Sequence, residues 1–574
     1  MDYKISGGNA DAKITLNETE QDGIVYAEVK ADFGEAVIPG QFAVSFKFPA
    51  IDCYSVWSPS VGEARSLQPE WAARETNSSL ASWMPVHQLV SAGGKNRLCI
   101  AVSDVMTPVS IKTGICEFDA CISCEVAFFT RPTAKRSSYR ALIRLDTNVV
   151  PYYDSIYGVT DWWENECGYT PANVPDMAKR PVNSLWYSMH HGLNPEKIVK
   201  QCRLSKPLGM DTLIIDDGWQ MDIEEGNCFY ARCGDWKASF QKMGDMRILC
   251  DRIHQIGMKV ILWFSVPFIG TEAENYDRFH DMILDDSGEN RTVFSLDPRY
   301  KEVRDFLMET YVNAVKSWDL DGLKLDFVDD FKIGEKGLKK DNRHDFVSLE
   351  EAIDALMSGI TESLTAIKPD IMIEFRQSYV GPAMRKYGNI LRVADCPDDP
   401  IRNRRGVVDL RYTSGKTAVH SDMLMWNYNE SAESAAVQLA GILYSVPQIS
   451  VLIDKLPAEH LEMLKFYLGF WTEHRDILLN GKLTAEHPEC GYSAVRSSLG
   501  NDAVVTLYTD SYVACAKNKT AVVNATVSGD IIFSDCRNRN YTVKNCLGDT
   551  VAAGVFLNEL NRLFVPAAGI VFVK

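Results

Sequence analysis

The chain has 574 residues, 46% hydrophobic and 24% charged, with a formal net charge of −17 and a pI near 5.2. That length exceeds one ordinary domain and supplies ample apolar text for a large core. The negative balance weighs against nucleic acid or an anionic membrane surface as partner and fits a soluble protein with a neutral substrate. Twelve Trp and 23 Tyr offer apolar faces of the kind sugar rings pack on, although core and interface filling accounts for most of them.

The opening MDYKISGGNADAKITL has neither the basic start nor the apolar centre of a secretory signal, and no apolar run reaches about 18 residues. A cytoplasmic address is expected. Residues 1–180 alternate in short runs (GIVYAEVKADF, FAVSFKF, NRLCIAVS, CISCEVAFFT) between Gly, Pro, Asn and Asp turns, with no long helical period. This predicts an N-terminal β-sandwich domain. The 15 cysteines are scattered: Cys99, Cys116 and Cys250 sit in apolar, strand-like text, and Cys121 and Cys124 form a lone CxxC. Without a second pair, alternate strand positions explain it better than a metal site.

From 181 to 480 strands and amphipathic helices alternate. Strand candidates are SLWYSMHH, DTLIIDDGW, KVILWFSVPF, DGLKLDFV, IMIEFRQ, ILRVAD, AVHSDMLMW and QISVLID, with helical text such as DMRILCDRIHQIG and LEEAIDALMSGITESLTAIKP between them. Eight such units predict a (β/α)8 barrel. A doubly wound open sheet is the alternative, but no glycine-rich phosphate loop follows the first strand. Residues 481–574 return to short strands and predict a small C-terminal all-β domain. The fold class is thus α/β, a central barrel flanked by two β domains.

Three of the predicted barrel strands stop abruptly at acids: Asp216 and Asp217 in DTLIIDDGWQ, Asp326 in LDGLKLDFVDD, and Asp395 in ILRVADCPDD. Desolvated carboxylates at the carboxyl ends of parallel barrel strands are costly unless they bind or react. Lys324 shares a strand face with Asp326 and keeps it ionised, which suits attack on an electrophilic carbon. Asp395 is followed by Asp398 and Asp399, like charges that raise a carboxyl pKa as a general acid requires, while Arg392 opposes the shift. An ordinary buried ion pair and a solvated acidic loop are the plainer readings of these two. Together, at strands four and six, they match a double-displacement glycosidase, in which one carboxylate attacks and the other transfers a proton. Where the second strand breaks into loop, Asp216 and Asp217 can both face one pocket and accept from sugar hydroxyls, with Trp219 over a ring face. A calcium site there would need more local oxygen ligands. His190, His191 and His420 lack compact metal-ligand spacing; His420 is placed at the end of strand seven, beside the pocket. Asp329–Asp330 reads as loop surface or a cap.

The DDGW at 216–219, GDW at 234–236, KLD at 324–326 and the acid-rich text after strand six resemble the family 36 glycoside hydrolases, α-galactosidases and their relatives in the clan shared with family 27. The domain order and the segment FWTEHRDILLNGKL (470–483) are similar too. The resemblance implies a retaining exo-acting α-glycosidase, with Asp326 as nucleophile and Asp395 as acid/base. It makes Asp216 and Asp217 ligands of O4 and O6, Lys324 a ligand near O3 and O4, Arg392 a contact on the O2 side, and Trp186 and Trp236 subsite walls. Asp398 is counted with the substrate-binding acids. No metal or organic cofactor is implied; the partner is a small carbohydrate, with no nucleic acid and no membrane. This chain departs from the family at Lys324-Leu325-Asp326, where KWD is usual. It departs again at Glu374–Tyr379, where a Cys/Ser-Gly-Gly-Gly-Arg segment is usual. Glu374 and Arg376 share a strand face there and can bind the substituent at C2 or pair with each other. Alternatives are another glycone (an α-N-acetylgalactosaminidase or β-L-arabinopyranosidase), a raffinose-synthase-type galactosyl transferase, and a non-catalytic sugar binder.

Overall fold

The computed structural model describes residues 1–220, 230–285, 291–334 and 341–574. Its centre is a parallel eight-stranded sheet whose members are β1 (Val182–Ser184), β2 (Thr212–Ile215), β3 (Lys259–Ser265), β4 (Gly322–Asp326), β5 (Met372–Arg376), β6 (Ile390–Arg392), β7 (Ala418–His420) and β8 (Gln448–Ile449). They pair in sequence order from β1 to β7, and β8 returns to pair with β1. Parallel bridges from His420 to Val446 and from Leu424 to Ile449 join the remaining edges into a barrel.

Two successive layers of inward side chains explain why this sequence closes that way. Val182, Ile214, Ile261, Met372, Ile390 and Ala418 form an apolar floor, plugged from below by Ala178 with Val174 and Met177. At the same level β4 carries Gly322, where a Cβ would lie 2.5 Å from the Met372 carbonyl oxygen, so β4 and β5 meet only because the position is glycine. Two residues further along each strand the face turns polar: Asp216, Trp263, Lys324, Glu374, Arg392, His420. All are buried. Strand periodicity guarantees that if the first set lines the interior, so does the second.

Outer helices cover the strands, among them α1 (Pro195–Ser205), α2 (Met246–Ile256), α3 (Lys301–Trp318), α4 (Leu349–Ile367), α5 (Pro400–Thr413), α6 (Ala432–Ile442) and α7 (Ala458–Asn480). Between β5 and β6 the crossover shrinks to one turn, Met384–Lys386. Asn194, Asp245, Ser348, Asp399 and Ser431 cap α1, α2, α4, α5 and α6 with side-chain oxygens on the first free backbone N–H groups.

Before the barrel, largely antiparallel sheets of five and six strands enclose a core that includes Val29, Phe42, Ile100, Ile111, Val126 and Ile143. This stretch also holds a helix, Tyr152–Asn165, contrary to the all-β expectation. Tyr152, Ile156, Val159 and Trp163 repeat at helical spacing and are buried, but their β-branched and aromatic character mimics strand text. Cys121 and Cys124 lie three apart on one strand, the first half-buried and the second buried. They therefore point to opposite faces and form no joint clamp. Cys250 is on α2, not on a strand. After α7 come sheets of seven and three strands. No helix among the described residues is long and apolar enough to cross a membrane.

Candidate active site

The carboxyl ends of β2, β4, β6 and β7 bring Asp216, Asp217, Asp326, Asp395 and Asp422 to one end of the barrel, with Lys324 and Arg392 among them. Asp326 ends β4 and is 6% exposed. Its Oδ1 accepts from Arg376 Nε at 2.7 Å, from the Tyr379 hydroxyl at 2.9 Å and from the Phe327 backbone N–H at 2.8 Å. Among the described residues its Oδ2 accepts only from Trp263 Nε1, at 3.0 Å. Phe327 reaches it by turning into the left-handed region, φ 61°, which ends the strand at the acid. Burial alone would favour the neutral acid. Arg376, Lys324 and Arg392, with the Trp263 N–H, outweigh it and hold the carboxyl well below the usual carboxylate range.

Asp216 and Asp217 follow β2 and are both buried. Asp216 Oδ2 accepts from Lys324 Nζ at 2.7 Å, and Asp216 Oδ1 from the Asp217 N–H at 3.0 Å. Burial works against the Lys324 ammonium, but Asp216, Asp326 and Glu374 more than offset it and raise its pKa. Asp217 Oδ1 accepts from Gln220 Nε2 at 2.7 Å, and its Oδ2 lies 3.0 Å from His191 Nε2. The turn that lets adjacent aspartates share a pocket depends on Gly218. Its φ is +103°, and a Cβ there would sit 2.6 Å from His191 Cδ2. Gly218→Ala should cost about 1–3 kcal/mol of stability and lower kcat/KM by displacing Asp217. Denaturant titration and kinetics check this, and an unchanged midpoint with full activity would remove Gly218 from the account.

Asp395 stands at the rim, its side chain 53% exposed, with Oδ1 2.8 Å from Arg392 Nη1. Its pKa is lowered, not raised as the acidic text predicted. Burial and Asp326 push it up, but Arg392 and then Lys324 prevail. Arg392 itself is wholly buried and meets three carboxylates: Asp395, Asp422 Oδ1 at 2.5 Å and Glu374 Oε1 at 3.5 Å. Trp186, at the end of β1, is partly exposed and stacks against His190 and His191, with ring centroids 4.6 and 5.5 Å away.

Several expected contacts are not made. Trp219 cannot cover a sugar, because it is fully buried among Trp236, Phe264 and Trp318 and donates Nε1 to the Trp263 carbonyl at 2.8 Å. It braces the Trp263 that holds Asp326. Trp236 is 5% exposed in the same stack, so it backs the wall. Glu374 pairs neither with Arg376 nor toward a substrate. It is 1% exposed, accepts from Gln448 Nε2 at 2.6 Å, and burial lifts its pKa to about 7 against Arg392 and Lys324. Arg376 instead clamps Asp326. His420 lies a layer below the rim: Nε2 donates to the Ala178 carbonyl at 2.7 Å, so Nδ1 accepts from Gln448 Nε2 at 3.0 Å. Burial lowers its pKa to about 4 and leaves the ring neutral. Asp398 is exposed and tied to Gln438 Nε2 at 2.8 Å, bracing its loop and bonding to none of the other acids. Asp329 is more than loop surface, since its Oδ2 accepts from Ser378 Oγ at 2.9 Å beside the Asp326 clamp.

Asp422 is not among the residues the sequence reading singles out, although its signal is there. AVHSD places it two residues past His420 on the same face, a fourth acidic strand end. Tyr187, Tyr379 and Gln448 carried no comparable signal. A cavity of about 1080 Å³ between the N-terminal sandwich and the start of α4, lined by Lys30, Asp104, Tyr139 and Glu350, holds none of these acids. Volume therefore does not mark the site, and the convergence of carboxylates does.

The chain is similar to known proteins over the same region. Residues 175–398 match the melibiase family model. The matched stretch contains β1 to β6 with Asp216, Asp217, Lys324, Asp326, Arg392 and Asp395. An alpha-galactosidase of Lactobacillus acidophilus is 28% identical over 156 residues, 26% of this chain and 21% of the relative. One of Geobacillus stearothermophilus is 25% identical over 146 residues, 25% and 20% of the two chains. The aligned stretch therefore spans about a fifth of those curated relatives. The likeness of fold runs further. The crystal structure of the Geobacillus stearothermophilus GH36 alpha-galactosidase AgaA, a variant in complex with raffinose, superposes with a TM-score of 0.68 at 15% identity, covering 100% of this chain and 86% of that one. The galactosidase domain of an alpha-galactosidase-sucrose kinase gives 0.67 at 14%, covering 100% and 85%. The sheets flanking the matched stretch belong to that shared architecture.

Proposed function

We propose that the chain is a retaining exo-acting α-glycosidase, an α-galactosidase that hydrolyses terminal α-galactosides by double displacement. One observation carries this: Asp326 is held ionised with three donors on Oδ1 and a single donor on Oδ2, so Oδ2 keeps a lone pair free for attack. Oδ2 attacks the anomeric carbon as the bond to the leaving oxygen breaks, and Asp395 gives that oxygen its proton. Asp395, now a carboxylate, takes a proton from water. The water oxygen attacks the same carbon and frees Asp326. Asp395 is pulled toward ionisation by Arg392 in the open site. A neutral sugar that displaces water from its exposed half favours the protonated acid it must be at the first step.

Asp216 and Lys324 present acceptor and donor on one side of the pocket, with Asp217 beside them, as a pair of neighbouring hydroxyls requires. The names of the relatives support galactose as the glycone, and the complexes with raffinose and stachyose support an α-galactoside oligosaccharide as the substrate class. All fourteen described cysteines are free thiols, in keeping with a reducing cytoplasm. A panel of nitrophenyl glycosides tests the assignment. Release from the α-galactoside should exceed that from the other sugars, and no release from it would sink the assignment. The Glu374–Tyr379 segment, which stands where the family usually has Gly-Gly-Gly-Arg, favours a second reading in which the glycone differs at C2. A higher rate on the α-N-acetylgalactosaminide or the β-L-arabinopyranoside would support that one. Product analysis with excess sugar acceptor separates hydrolysis from transfer.

A further inference from the structure

We propose that Asp422 is the positioning residue of Asp395, setting both where that carboxylate sits and how readily it carries a proton. The inference rests on the assignment of Asp395 as acid/base. Asp395 follows a three-residue strand, is 53% exposed, and among the described residues is held by a single contact, to Arg392. A carboxylate held so loosely would spread over several rotamers in water. Asp422, with no exposed surface, grips it from two directions. Its Oδ1 takes Arg392 Nη1 at 2.5 Å, the same nitrogen that donates to Asp395. Its Oδ2 accepts from the Cys396 N–H at 2.6 Å, the amide directly after Asp395. The Tyr187 hydroxyl donates to that Oδ2 at 3.0 Å. Asn403 holds the backbone of Asp422 through Oδ1 on its N–H at 3.0 Å and Nδ2 on its carbonyl at 3.3 Å.

Charge follows the same geometry. The ionisable groups facing Asp395 are Arg392, Lys324, Asp326, Tyr187 and Asp422, and those facing Asp422 are Arg392, Asp395, Tyr187 and Cys396. Asp422 takes up part of the Arg392 charge that would otherwise fall on Asp395. Without it, Arg392 binds Asp395 more strongly, the proton is held less, and the acid needed for the first step becomes scarce.

The measurement is kcat/KM for two aryl glycosides of the sugar the enzyme turns over, one with a dinitrophenolate leaving group and one with an unactivated phenol. A good leaving group departs unprotonated and a poor one does not, so loss of acid catalysis falls on the second substrate alone. Asp422→Asn should lower kcat/KM for the poor leaving group by about 30-fold or more and for the activated one by less than about threefold. The alkaline limb of the pH profile should also move down by about one unit. Equal losses on both substrates with an unmoved limb would mark Asp422 as merely structural and overturn the inference. Asp395→Ala, run in parallel, separates the two levels. If it shows no leaving-group bias, the acid/base assignment fails; if it does and Asp422→Asn does not, only the present inference fails. Should Asp422→Asn not fold, Tyr187→Phe carries the test through one hydrogen bond, with a bias of about threefold in the same sense; no bias there overturns the inference.

Discussion

Replacing Asp326 with Ala is expected to abolish turnover, by on the order of 10⁴-fold or more in kcat, while the chain still folds. Four separate elements are built to present this carboxylate: Trp263 from β3, Phe327 from the turn after β4, Arg376 from β5 and Tyr379 beyond it. Those donors make it a poor base and leave one oxygen exposed for attack, a division of labour that a structural ion pair would not need. Asp326→Asn keeps the shape and should be nearly as inactive, because the amide has no anionic oxygen to offer. Circular dichroism and an unchanged elution volume would establish that both variants fold. Near-normal activity in either would end the assignment of Asp326 as nucleophile.

Arg392→Met should have the largest effect on stability, a loss of about 3–5 kcal/mol at neutral pH together with loss of activity. Methionine fills much of the volume but leaves Glu374, Asp422 and Asp395 without their shared cation. Glu374 already has a folded pKa near 7, raised by burial. A carboxyl raised in the folded state contributes stability that is fully present below its unfolded pKa and is lost as pH rises through the folded value. Removing the cation raises these folded values further. The deficit of the variant should therefore be small near pH 4 and grow through pH 5 to 8, read by denaturant titration at each pH. A deficit independent of pH would mean that Arg392 acts through packing alone.

These two variants probe different levels of what could be known in advance. The barrel was legible because eight apolar runs alternate with amphipathic ones, and period-two patterning forces the polar layer of Asp216, Lys324, Glu374 and Arg392 to face inward wherever the floor below it is apolar. Asp326 and Asp395 were legible for a related reason, since an apolar strand that stops at a carboxylate is expensive unless the acid has work. The same rule pointed to Asp422, where a two-residue step past His420 was overlooked. The helix at Tyr152–Asn165 was hidden because its helical spacing is written in residues that also favour strands.

Partners were another matter. Glu374 and Arg376 lie two residues apart on one strand, and local sequence allows them to pair with each other. The closed barrel instead sets Glu374 against Gln448 and Arg392, and Arg376, one layer nearer the mouth, against Asp326. Trp219 adjoins the DDG turn, yet the fold draws it into the core behind Trp263. The chain's own text thus determined which residue types stand at which strand ends, because periodicity and burial act over a few residues. Tertiary structure alone decided which charge each acid meets, and so which one is held ionised for attack and which one shares its cation at the rim. Those choices depend on distances across the barrel, between groups as much as 235 residues apart in sequence, where Coulomb energy and desolvation act and local patterning says nothing.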